Sequence, residues 1–271
     1  MQKQRKSSKP AKPVRVPYLT GSVYDSETPK SALLMFAGLC GVGLGFLLLG
    51  ITLSFDNVPL RIALNILLLG MEYLLFYYSG ISRGAIAVNQ GEIMYRRQET
   101  EREISPSERS RCYHPLKGYL FGLIGTAPLL LCAIVLALTA HRQAYAIGPL
   151  PSWMNAFGTR DDIGPALAVY ASTPPYTLTD FVRLVVRLAL MPFVNMVGSE
   201  NADLLLVLER VSPLLLLLPA AAYGFGYTRG TAVRTQVHTD IAQNKKKRAK
   251  KARREQRRRQ TPQRRGPEAL N

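Results

Sequence analysis

Acidic side chains are scarce in this chain: 18 Asp and Glu stand against 35 Lys and Arg, a net charge of +17 over 271 residues. Histidine is scarcer still. His114, His141 and His238 are too scattered to supply the i, i+4 pair with an intervening Glu that an intramembrane zinc protease requires. Cys40, Cys112 and Cys132 are odd in number and form neither a disulfide framework nor a zinc spacing. A glycine-rich phosphate loop, a G-x-S-x-G turn and a pair of intramembrane aspartates are all missing. Enzyme, metal and cofactor chemistry are left without support, so the expected function is non-enzymatic, with no metal and no cofactor.

Charge is also missing from long blocks. Residues 31–55 hold 25 residues with no charge, residues 118–140 hold 23, and residues 211–227 extend an apolar run that begins near Leu204. Each run exceeds the roughly 18–20 residues needed to cross a hydrocarbon layer about 30 Å thick. A fourth apolar run, residues 58–80, follows the turn at Asp56, Asn57 and Pro59, which is too short for anything but an antiparallel return. The expected fold is all-α: a polytopic membrane protein with four transmembrane helices as two hairpins, one interfacial amphipathic helix, and basic cytoplasmic tails. Thirty residues precede the first block and no small-x-small exit follows Phe55, so it is expected to be retained rather than cleaved.

In chain order, residues 1–30 read as a basic, disordered arm in which Pro10, Pro13 and Pro17 prevent helix. Residues 31–80 form the first hairpin, 81–117 a charged loop, 118–228 the second hairpin with an outer loop at 141–200, and 229–271 a basic tail. Within the loop, residues 85–96 read as a short strand pair or helix. Ala37, Gly41 and Gly45 lie four apart on the first span, a spacing that lets another helix, including one from another membrane protein, approach closely. Residues 181–191 are apolar except for Arg183 and Arg187, which share a face; too short to cross, they read as a helix lying in the interface.

With both termini inside, the cytoplasmic parts carry 29 of the 35 basic residues, all but Arg61, Arg142, Arg160, Arg183, Arg187 and Arg210. The positive-inside rule then predicts a multi-pass protein of a bacterial cell membrane, with both termini cytoplasmic.

The second apolar run carries the candidate site. At about 100° per residue, Arg61, Asn65, Glu72, Ser79 and Arg83 fall within roughly 40° of one another, interrupted by Leu68 and Phe76. Lipid solvates neither Glu72 nor Asn65, so this stripe is expected to face a bundle interior or a wet cavity. A small-solute or ion permease subunit, or a membrane scaffold, is the function it suggests.

An internal echo accompanies the stripe. Residues 77–84, YYSGISRG, align without a gap to residues 223–230, YGFGYTRG, sharing Tyr, Gly, a hydroxyl residue, Arg and Gly. Two hairpins related by duplication in the same orientation are the expectation, as in transporters built from parallel repeats.

Residues 245–265 hold thirteen Lys or Arg against Glu255 alone. The candidate polyanion contacts are Lys245, Lys246, Lys247, Arg248, Lys250, Lys251, Arg253, Arg254, Arg257, Arg258 and Arg259. Their expected partner is a bilayer with anionic headgroups. The alternative is RNA or a ribosome, which would make the protein a membrane tether; the lack of aromatics after Tyr227 predicts unspecific binding.

Overall fold

A computed structural model describes residues 13–52, 57–141, 152–171, 177–198 and 201–260. The first twelve residues of the arm, the turn at Asp56, Tyr145, Pro149, Pro151, Pro174, Pro175 and Tyr176 of the outer loop, and Arg264 and Arg265 of the tail lie outside the described residues.

Every described element is helical: α1 (Thr28–Thr52), α2 (Val58–Glu99), α3 (Pro106–Ser110), α4 (Lys117–Thr139), α5 (Gly164–Ala171), α6 (Leu178–Ala189), α7 (Met191–Val197) and α8 (Ala202–Gln260), with a 3-10 turn at Ser152–Phe157. Four of them, α1, α2, α4 and α8, are long and apolar enough to cross a membrane. Leu34, Leu48, Leu67, Leu131 and Leu214 stand exposed on their outer faces, which only lipid accommodates at this density. The protein is an all-helical, membrane-embedded chain.

Two helices run far past the membrane thickness. In α2 the Asn57 side chain accepts the Leu60 amide at 3.3 Å and Pro59 sits in the first turn, both favourable at a helix start. The helix then continues through residues 85–96 as one rod, with no strand pair. It closes where the Glu101 amide bonds the Gln98 carbonyl and the Arg102 amide the Arg97 carbonyl, with Glu101 at φ 55°. That is a Schellman closure with Glu in the place glycine usually takes.

From Pro13 the N-terminal arm is ordered rather than disordered. Its prolines prevent helix, but the extended backbone bonds elsewhere: the Val14 amide donates to Thr239 Oγ1 (3.0 Å), Leu19 to the Gly91 carbonyl (3.1 Å) and Gly21 to the Tyr113 carbonyl (2.9 Å). Behind this strap, buried Asp25 pairs with buried Lys117, Tyr18 meets Tyr113 edge to face, and Tyr113 stacks on Tyr227.

The packing order is α1 on α4, α4 on α8, and α8 on α2. The echoed segments meet one another at the α2–α8 crossing. A methyl group on Gly80 would overlap the Tyr223 carbonyl and lie 2.9 Å from the Tyr227 nitrogen; one on Gly226 would overlap the Tyr77 carbonyl and lie 3.1 Å from the Ile81 nitrogen. These contacts are reciprocal, because Gly80, Tyr223 and Tyr227 of the first are aligned with Gly226, Tyr77 and Ile81 of the second. The pairs around this local two-fold then diverge. Gly118 and Gly122 let α4 seat against Tyr227 and Ala220 of α8, whereas α1 and α2 do not pack along their length and leave a cleft between them.

Candidate intramembrane cleft

Three residues of the stripe on α2, Glu72, Ser79 and Arg83, line this cleft, and Arg61 and Asn65 do not. At the end away from the termini, Asn65 is fully buried and its Nδ2 donates to the Arg61 carbonyl at 2.8 Å. Among the described residues, the buried Asn65 Oδ1 and Arg61 Nε have no hydrogen-bond partner. The Arg61 guanidinium lies beside Gly198, where φ is +82° and a Cβ would meet Nη2 at 3.0 Å.

Glu72 occupies the middle level. It lines a cavity of about 350 Å³ whose other walls are apolar: Leu39 and Gly43 of α1, Leu129 of α4, Phe193 of α7, Leu216 and Pro219 of α8. Among the described residues, nothing hydrogen-bonds to or pairs with its carboxylate. A charge there is costly unless a counter-ion or proton joins it.

Ser79 and Arg83 line a second cavity of about 410 Å³, with Ser31, Gly38 and Tyr223. Phe76, 2% exposed, lines this second cavity and not the one at Glu72. Its ring packs beside Gly38 of α1, where a Cβ would stand 3.5 Å from Phe76 Cε1, an ordinary contact distance. Arg83 also reaches a third, polar cavity of about 170 Å³ with Asp25, Gln90, Lys117 and Tyr227, where the buried Tyr227 hydroxyl has no partner. The structure therefore divides the stripe: Glu72 lines one cavity, Ser79 and Arg83 line another, and Arg61 and Asn65 line neither.

Two charged clusters tie helices together outside the cleft, α6 to α8 and α2 to α8, and the sequence reading missed both. Arg183 and Arg187 of α6, expected to face headgroups, instead turn inward to Glu209 of α8. Arg183 Nε bonds Glu209 Oε1 at 2.8 Å and Arg187 Nη2 reaches it at 2.6 Å, with Arg183 and Glu209 both 3% exposed at the side chain. Arg183 also bonds Asp180 Oδ1 at 3.1 Å and the His141 carbonyl at 3.2 Å. Phe181 and Leu184 are exposed in their stead. The inversion has a simple cause: Glu209, an acid within a span, needs a cation more than water needs Arg183. Hydrogen bonds from Thr177 hold the Asp180 carboxyl below its usual range and start α6 with a capping box. At the termini end, Glu92 of α2 bonds His238 Nε2 at 2.9 Å and pairs with Arg234 of α8, whose Nη2 also reaches Asn89 Oδ1 at 2.8 Å. The available signal was the lone acid, Glu209 in its span and Glu92 opposite a basic helix.

The polybasic residues Lys245, Lys246, Lys247, Arg248, Lys250, Lys251, Arg253 and Arg254 are exposed on the continuation of α8, which remains helical through Arg257, Arg258 and Arg259. Lys251 and Glu255 approach to 4.0 Å. Among the described residues, no group of three or more His, Cys, Asp or Glu is arranged to hold a metal ion. Compared with protein-family models, curated proteins and solved structures, the chain matches none.

Proposed function

We propose that the protein is a non-enzymatic permease subunit of a bacterial cell membrane, with both termini cytoplasmic, whose cleft admits a small organic cation with an apolar body. The observation that carries this reading is Glu72: an unpaired carboxylate on an otherwise apolar cavity of about 350 Å³, a volume within the range of small-molecule sites, about 300–1,000 Å³. An apolar body would fill the walls and a positive charge would balance the carboxylate. Entry is lateral, from the bilayer, where α1 and α2 stand apart.

Glu72 lines one cavity and Ser79 and Arg83 another; Phe76 lies between the two levels along α2, and its turning away from Gly38 is the movement that would join them. Two hairpins of parallel orientation around the α2–α8 crossing, one closed and one open, suit a rocking motion of α1 against α2. The test uses the full chain in nanodiscs with tetraphenylphosphonium as probe. Glu72→Gln should weaken its binding at least tenfold, about 1.4 kcal/mol for the lost charge pair, while the neutral triphenylphosphine oxide binds both forms alike. Equal affinity of the two forms for the cation would contradict the proposal.

A further inference from the structure

The polybasic end of α8 continues as one helix well past the segment that packs against α2. Its direction is fixed beyond the crossing by packing. Gly230 abuts Gly84, Arg234 and His238 are held by Glu92, and Thr239 Oγ1 accepts the Val14 amide. At 1.5 Å per residue, Lys245 lies about 24 Å beyond Arg229 and the rod extends about 17 Å further by Gln256. With a Debye length of ~8 Å at physiological salt, that is about three screening lengths from the inner boundary.

The surface of the rod also fails the requirement for lying in an interface. Over residues 245–256 eight Lys or Arg stand against Glu255. Their helical phases cover the whole circumference, so no apolar face exists to bury. Like charges recur at i, i+4 in Lys246 and Lys250, Lys247 and Lys251, and Lys250 and Arg254, each pair opposing the helix it sits on. A net positive charge about every 2.6 Å comes close to the spacing of phosphates on a nucleic-acid duplex, about one per 1.7 Å. A polyanion of that density relieves the repulsion along the rod; a membrane 24 Å behind it does not.

We propose that residues 245–256 form an exposed basic rod that grips the phosphate backbone of nucleic acid at a distance from the bilayer. Contacts are to phosphate and carry no sequence preference, since the tail offers no aromatic stacking surface. This proposal is independent of the cleft.

The test places the full chain in nanodiscs of phosphatidylcholine, with and without phosphatidylglycerol, and titrates labelled RNA and DNA duplexes of equal length. Duplex affinity should agree within about twofold between the two nanodiscs and fall roughly 1,000-fold between 50 and 200 mM salt, the response of about six phosphate contacts. K245Q/K246Q/K247Q/R248Q should lose at least tenfold. Ala242→Pro, which breaks the rod below Lys245, should let the tail fall back, so that phosphatidylglycerol now competes. A preference for RNA or DNA beyond tenfold would assign the source of the phosphate and leave the grip itself standing. The proposal is overturned if neither duplex binds, if phosphatidylglycerol weakens binding tenfold or more in the unaltered chain, or if the four-residue variant binds unchanged.

Discussion

Glu209→Gln is the substitution whose cost follows most directly from the geometry. The carboxylate accepts Arg183 Nε at 2.8 Å and Arg187 Nη2 at 2.6 Å while only 3% exposed. Removing one partner from a buried ion pair costs about 3–5 kcal/mol, because the other charge stays behind. Here the lower end applies. Arg183 keeps Asp180 and the His141 carbonyl, and Arg187, 25% exposed at the side chain, can turn outward. About 3 kcal/mol corresponds to a roughly 100-fold shift in the folding equilibrium. Reversible unfolding in mixed detergent micelles measures it. The triple variant R183L/R187L/E209L, which removes the whole cluster, should recover most of the loss, since a well-packed apolar replacement of a buried ion cluster is commonly neutral or better. A loss below about 1 kcal/mol for Glu209→Gln, or a triple variant less stable than the single one, would refute the inward-facing arrangement of α6.

Glycine substitutions should separate the two helix pairs. Gly226→Ala drives a methyl group into the Tyr77 carbonyl and should cost about 1–3 kcal/mol, whereas Gly41→Ala meets nothing within 4 Å and should gain up to about 1 kcal/mol from helix propensity; thermal melts of both variants decide, and equal effects would contradict the open α1–α2 cleft. Cys112 is fully buried and its thiol is pushed up by burial, so maleimide should leave it unmodified in the folded protein and react after unfolding. Rapid labelling of Cys112 in the folded state would show that the strap and the 111–117 turn do not pack as described.

The four spans were legible because their signal is local: blocks free of charge and long enough to cross. The stripe was legible for the same reason, since phase along one helix needs no partner. Its division was not. Which stripe residue meets which cavity depends on α1, α4, α7 and α8, whose positions the phase of α2 does not reveal. The orientation of α6 also failed to appear locally. Arg183 and Arg187 read as an outward polar face until Glu209, 26 residues after Arg183, is known to sit beneath them. The strap shows a related limit: prolines correctly excluded helix, but order came from backbone bonds to Gly91 and Tyr113, which carry no side-chain signature. Residues 85–96 read equally as a short strand pair or a helix, and the packing of α2 against α8 accompanies the helical outcome.

The central claim is that Glu72 is an unpaired carboxyl reached from the bilayer through the cleft. Dicyclohexylcarbodiimide, an apolar reagent, adds to a protonated carboxyl in such a setting and rearranges to a stable N-acylurea. Mass spectrometry of the treated protein in nanodiscs should find the adduct on the α2 segment at Glu72, absent from Glu72→Gln and suppressed by tetraphenylphosphonium. An unmodified Glu72, or an adduct there that the cation does not suppress, would contradict the account.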